Sequence, residues 1–382
     1  MVSYRNSLWG SINSDCYTRK TRDIPVCAAL RWVGEGLSHH QERGETLMKS
    51  LSSTSVSRRQ AIRLGLGSVA AAGVVALAGC TDTSNDSTTT TSSSSSDSSS
   101  STDSTASTQI DKDAFDSLLA AGDVADDATV SGSTWAQKIK DAGTFRLGGV
   151  QTSTLFASLD ETDNKLRGFD AGLAQLLVRY ILGDESKYEF TKVTSDTRES
   201  VLQNDQVDAV FATYSITDKR KEVISFAGPY YSTQQGILVL ADNSDINSVD
   251  DLAGKTVAAQ SGSTGPSILA EYAPTATVQE FTTDEEARTA LEQGRVDAYV
   301  IDATMQMSSI VKNPGKYRLA GDSFGPEDPY GIGLQLDSDG VTFVNTWLKK
   351  IEDEGTWAKL WKICIGDRTG IDKVPEPPAI GA

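Results

Sequence analysis

A helix–turn–strand phrase occurs twice in this chain, and it constrains what the rest can fold into. Leu202-Gln203-Asn204-Asp205-Gln206-Val207-Asp208-Ala209-Val210 is echoed by Leu291-Glu292-Gln293-Gly294-Arg295-Val296-Asp297-Ala298-Tyr299-Val300. Both copies close on a short apolar run, Val207 to Phe211 and Ala298 to Ile301, of the kind that makes a buried strand. The offset that carries Val207 onto Val296 also carries Thr213 onto Asp302, so each strand delivers a polar residue at its carboxyl end. Ligands of open α/β sheets bind at such strand ends. The repeat predicts two similar α/β lobes facing each other across a cleft.

The surrounding pattern agrees with an α/β fold. Thr144 to Val150, Tyr188 to Val193, Ile237 to Leu240 and Thr256 to Ala259 read as strands. An amphipathic helix runs from Asp170, its cap, to Leu182 and stops at Gly183. Val341 to Ile351 repeats at helical spacing, and Trp357 to Trp361 starts a further helix.

Thr213, Ser215 and Arg220 all follow the first strand end. Hydroxyls, free backbone N–H groups and a guanidinium gathered there make a seat for a carboxylate, which arginine grips with two parallel bonds. The competing reading is a Thr-capped surface helix carrying a solvated arginine. Gln260-Ser261-Gly262-Ser263-Thr264-Gly265 precedes a helix starting near Pro266, whose N-terminal N–H groups also favour an anion. A plain capped turn is the alternative there.

The amino-terminal part has another character. Met48 opens a basic segment with Arg58-Arg59, an apolar Gly/Ala-rich run from Leu64 to Ala78, and the ending Leu77-Ala78-Gly79-Cys80. That is the layout of a secretory signal, and the run is too short for a comfortable membrane span. The paired arginines resemble a twin-arginine export signal and the ending resembles a lipobox, which implies lipid on Cys80 and attachment to the outer face of the cytoplasmic membrane. Residues 48–80 are thus the signal, and residues 1–47 read as an over-extended start. Residues 81–108 are nearly all Ser, Thr and Asp, cannot bury apolar surface, and read as a disordered tether. From Ser84 onward its r.m.s. reach is roughly 25–30 Å. Residues 109–142 form an acidic lead-in with short helices at Lys112 to Ala120 and Thr134 to Asp141.

This division excludes several functions. His39, His40, Cys16 and Cys27 all precede Met48, so the chain from Cys80 holds no histidine for catalysis or metal binding. Cys364 is left as the one cysteine beside the lipid site and reads as a small buried residue. Removing residues 1–79, with 10 Lys+Arg and 5 Asp+Glu, leaves 25 basic against 47 acidic residues, a net charge of −22. Such a chain repels nucleic acid. Neither metal nor cofactor is expected.

Five phrases then fall in one order: Gly168-Phe169-Asp170, Val207-Asp208-Ala209, Ile216-Thr217-Asp218-Lys219-Arg220, Phe226-Ala227-Gly228-Pro229-Tyr230-Tyr231 and Gly262-Ser263-Thr264-Gly265. Together they resemble the extracytoplasmic solute-binding proteins of polar amino-acid ABC transporters, family 3, over roughly Gly143 to Gly370. The resemblance implies a two-lobed periplasmic-binding-protein fold of type II, two α/β lobes joined by two crossing strands. Lobe 1 would be residues 143–232 plus 331–372, lobe 2 residues 233–330, and residues 373–382 a tail. It implies that Arg220, with Thr213 and Ser215, holds the ligand's α-carboxylate, that Ser263 and Thr264 meet it from the other lobe, and that Asp302 pairs with the α-ammonium. Phe156 matches an aromatic that packs on the ligand, although Leu155 replaces the usual proline before it. Arg198 stands where acidic-amino-acid binders of the family place a cation for the side-chain carboxylate, so the expected ligand is glutamate, then aspartate or glutamine. The bland reading of Arg198 is the solvent face of a helix from Thr197 to Gln203.

The function expected is a monomeric, lipid-anchored receptor that delivers its amino acid to the permease of an ABC transporter, without chemistry. The alternatives are a dehydratase or lyase acting on amino-acid derivatives, which would need a positioned acid or base, and a ligand-sensing protein.

Overall fold

The computed structural model describes residues 108–381. The signal, Cys80 and the tether up to residue 107 lie outside the described residues.

The lead-in is a packed layer. Helix α1 (Lys112–Ala120) is capped by Asp111, α2 (Asp127–Ser131) by Asp126 and α3 (Thr134–Ala142) by Ser133, each side chain accepting a backbone N–H of the first turn. Phe115, Leu119, Trp135 and Ile139 are buried in the core of the first lobe. α2 has no apolar period, which is why the sequence did not show it.

The first lobe follows. Strand β1 (Phe145–Gly149) leads to a small antiparallel sheet of β2 (Thr152–Ser153), β3 (Ala157–Asp160) and β4 (Lys165–Arg167). Helix α4 (Phe169–Leu182), strand β5 (Tyr188–Lys192), helix α5 (Arg198–Gln203), strand β6 (Ala209–Phe211) and helix α6 (Asp218–Lys221) complete it. β1 lies between β5 and β6, parallel to both. The cap of α4 is Gly168 and not Asp170 as expected. Gly168 sits at φ 133°, where a Cβ would lie 2.4 Å from the Phe156 carbonyl. Asp170 therefore falls inside the first turn, fully buried, and bonds elsewhere.

Strand β7 (Ser225–Leu240) runs for 16 residues into the second lobe. Ile237 to Leu240 is its far end and not a separate strand. The second lobe adds β8 (Thr256–Gln260), α7 (Gly265–Tyr272), β9 (Thr277–Phe281), α8 (Asp284–Glu292), β10 (Ala298–Asp302), α9 (Ala303–Lys312) and β11 (Tyr317–Leu319). Strand β12 (Phe324–Leu334) returns antiparallel to β7, and α10 (Gly340–Asp353), α11 (Thr356–Trp361) and α12 (Asp367–Thr369) close against the first lobe. The strand order is β5-β1-β6-β12-β7-β10-β8-β9, with β11 on β7. One sheet thus passes through both lobes, and β7 and β12 are its shared strands. Separate apolar clusters flank them, around Leu173, Leu177 and Trp347 on one side and Val257, Leu269 and Val300 on the other.

Candidate functional site

The repeated phrase supplies the two walls. β6 delivers Thr213 and Ser215, and β10 ends on Asp302. With Arg198, Ser263 and Thr264 they line one cavity of about 70 Å³. Val150, Gln151, Lys192, Ile301 and Met305 complete much of its surface.

Arg198 opens α5 and is 3 % exposed, against the solvent-facing alternative. Its Nη1 donates to the Ala212 carbonyl at 3.1 Å, and its guanidinium lies 4.0 Å over the Tyr214 ring. Its Nε has no hydrogen-bond partner, and among the described residues no carboxylate forms an ion pair with it. Burial, and then the neighbouring Arg220 charge, pull its pKa down to about 10. Glu199 and Asp302 act on it at longer range, but among the described residues no ion pair holds this buried guanidinium, which faces a cavity.

Asp302 is the counterpart on the other wall. Although it sits at the cap position of α9, its carboxylate does not cap. One oxygen accepts from the Gln235 amide at 2.7 Å and the other from the Tyr330 hydroxyl at 2.6 Å. Burial, then the charge of Asp328, push its pKa up to about 7. Asp328 is also buried; it accepts from the Thr264 hydroxyl at 2.9 Å, and its other oxygen has no partner. Burial raises its pKa as well.

The hydroxyls are partly committed. Ser263 donates to Gln260 O and accepts the Gly265 N–H, closing its own turn. Thr213 donates to Ala212 O and adopts φ 43°. A β-branched residue in the left-handed region is a rare and strained choice, costing roughly 1–3 kcal/mol.

Two expected ligand residues do not line the cavity. Arg220 donates to Ser215 O and Gly262 O, each at 2.8 Å, and pairs with Glu199 at 3.2 Å. It therefore ties the first lobe to the Gly262 loop of the second. Phe156 is fully buried and packs edge-on against Phe169, Tyr231 and Tyr330. The backbone around it is fixed by the Phe169 and Ala171 N–H groups bonding Leu155 O and Phe156 O. The ring points into the core for that reason. Gln235, Asp328 and Tyr330 were missed, although polar residues inside two long strands were the available signal.

The family model described as bacterial extracellular solute-binding proteins, family 3, matches residues 146–366. The chain belongs to this family. A curated relative, an ABC transporter glutamine-binding protein of Bacillus subtilis, is 37 % identical over 217 residues, 56 % of this chain and 78 % of that protein. A glutamate-binding protein of Corynebacterium glutamicum is 33 % identical over 220 residues, 55 % of this chain and 74 % of that one. Among solved structures, an ancestral arginine-binding protein bound to glutamine is 34 % identical with a TM-score of 0.54, covering 59 % of this chain and 98 % of the other. A cysteine-binding protein from Campylobacter jejuni is 25 % identical with a TM-score of 0.60, covering 64 % and 99 %. The fold is accordingly the type II arrangement of amino-acid-binding proteins. These family 3 relatives are receptors and not enzymes, which bears out the receptor reading over the lyase. Among the described residues no helix is long and apolar enough to cross a membrane.

Proposed function

We propose that this family 3 protein is a lipid-anchored receptor, held by Cys80, that captures glutamate and passes it to an ABC permease. The observation that carries the ligand is Arg198, a buried guanidinium on the cavity with no carboxylate of its own among the described residues. A ligand carboxylate would balance it, while Asp302 takes the ammonium in a charge-assisted bond. Arg220 would hold the α-carboxylate by exchanging one of its two carbonyl partners for the ligand, with Thr213, Ser215, Ser263 and Thr264 around it.

Glutamine is the second reading, and the commitment of Arg220 favours it. If Arg220 keeps its carbonyls, Arg198 is the buried arginine left to meet the ligand, and an α-carboxylate alone satisfies it. Calorimetric titration of parent and Arg198→Gln with both amino acids separates the two. A side-chain carboxylate on Arg198 predicts that the variant narrows the glutamate-over-glutamine ratio by about tenfold, since about 1.4 kcal/mol is one decade. Equal losses for both ligands would place the α-carboxylate on Arg198 and remove the reason to prefer glutamate over glutamine. The anchor is tested separately, by fatty-acid labelling of the exported protein and of Cys80→Ser; label in the variant would refute it.

A further inference from the structure

We infer that Asp170 is a positioning residue of the cleft, one that fixes the Ala212–Thr213 peptide and, through it, Arg198. The inference rests on the reading that Arg198 holds an acidic group of the ligand.

Asp170 is fully buried and makes no ion pair among the described residues. Its Oδ2 accepts the Thr213 N–H at 2.7 Å and its Oδ1 accepts the Tyr230 hydroxyl at 2.7 Å. The other end of the same peptide unit is the Ala212 carbonyl, which accepts Arg198 Nη1 at 3.1 Å. One peptide plane therefore lies between a buried carboxylate and a buried guanidinium. The N–H faces the anion and the C=O faces the cation, as the dipole of the peptide requires.

Thr213 would not choose this orientation unaided. Its φ of 43° is a conformation that β-branched residues avoid and glycine adopts freely. The bond to Asp170 holds it there. Without that acceptor the N–H end of the peptide loses its partner, leaving the Thr213 hydroxyl's own bond to the Ala212 carbonyl as the weaker restraint, and rotation takes the carbonyl off Arg198. The guanidinium then loses the hydrogen bond that orients it across the cleft. Asp170 acts on the ligand only through this peptide.

The test is a cycle of Asp170→Ala and Thr213→Gly, singly and combined, read by calorimetry with glutamate and glutamine and by crystal structures of each variant. Asp170→Ala should weaken binding about tenfold or more in the parent, and by less than about threefold in the Thr213→Gly background, where the conformation comes at no cost. Its crystal structure should show the Ala212 carbonyl turned from Arg198 in the first background and retained in the second. Parental affinity for Asp170→Ala, or equal losses in both backgrounds, would overturn the inference. Should the parent bind neither amino acid, the functional reading fails and the crystal structures decide alone; an unturned peptide in Asp170→Ala is then the refutation. Should Asp170→Ala not fold, Asp170→Asn decides. Its amide can accept from Thr213 and donate to Tyr230, so peptide orientation and affinity should be kept or lost together, and either one changing alone refutes the proposal.

Discussion

At the scale of single residues, Asp302 has the clearest consequence. Its carboxylate is buried between Gln235, Tyr330 and the charge of Asp328, and its pKa rises to about 7. In the unfolded chain an aspartate has a pKa near 3.9. Between about pH 4 and 7 the folded protein therefore holds a proton that the unfolded chain has lost, and stability without ligand falls as pH rises through that window. Asp170, raised to about 6 by burial, acts in the same direction. Asp302→Asn should flatten the fall of the melting temperature between pH 4 and 7. An ammonium bound to Asp302 needs the ionised form, so capture at pH 6 should release protons, and capture at pH 8.5 far fewer. Titrations in buffers of different ionisation enthalpy measure this; a heat independent of buffer at pH 6 would show that the ammonium does not meet Asp302.

At the scale of elements, the loop between β8 and α7 sets how the cleft shuts. Gly262 has φ 70°, and a Cβ there would lie 2.4 Å from Asp196 Oδ1 and 2.8 Å from the Ser195 carbonyl carbon. Ser261 bonds Asp196, and Gly262 O receives Arg220, so this loop is one place where the second lobe touches the first, Ser308 against Ser153 being another. Gly262→Ala should hold the lobes apart and weaken capture by about tenfold or more, because the added Cβ meets Asp196 and Ser195 of the first lobe only when the cleft is shut. Small-angle scattering should then show no contraction at saturating ligand; contraction equal to the parent's would refute this role. Periodic elements such as α1, α10 and the repeated phrase were legible because apolar spacing fixes both their type and their buried face. β7 was not, since Gly228-Pro229 and Gln234-Gln235 break its apolar run, and Gln235 is polar there because it serves Asp302. Asp170 looked like a cap because spacing cannot tell the cap from the second residue of the helix. Arg198 stayed open between solvent and cleft because α5 is too short to show a face. Arg220 follows from strand-end chemistry and Phe156 from resemblance, and backbone carbonyls and ring packing, invisible in a sequence, turn both from the cavity.

At the scale of the whole molecule, the two lobes are not independent bodies on a linker. β7 and β12 pair from Leu334 with Ser225 to Phe324 with Gln235, so each lobe's sheet is completed by strands that also belong to the other. Neither strand can leave one lobe and remain paired in the other without exposing backbone groups in the middle of the sheet. The lead-in adds to this unity: Asp339, at the start of α10, accepts the Thr134 and Trp135 N–H groups. The folded part should therefore unfold in one calorimetric transition, with van't Hoff and calorimetric enthalpies equal. Ligand touching both walls stabilises only the intact pair of lobes. At a free concentration one hundred times Kd the gain is about 2.7 kcal/mol, or roughly 5 °C in melting temperature for a domain of this size. The single peak should move as a whole. Two peaks, or a peak that splits so that one half stays at its unliganded temperature, would mean that the shared strands do not couple the lobes and that ligand stabilises one wall alone.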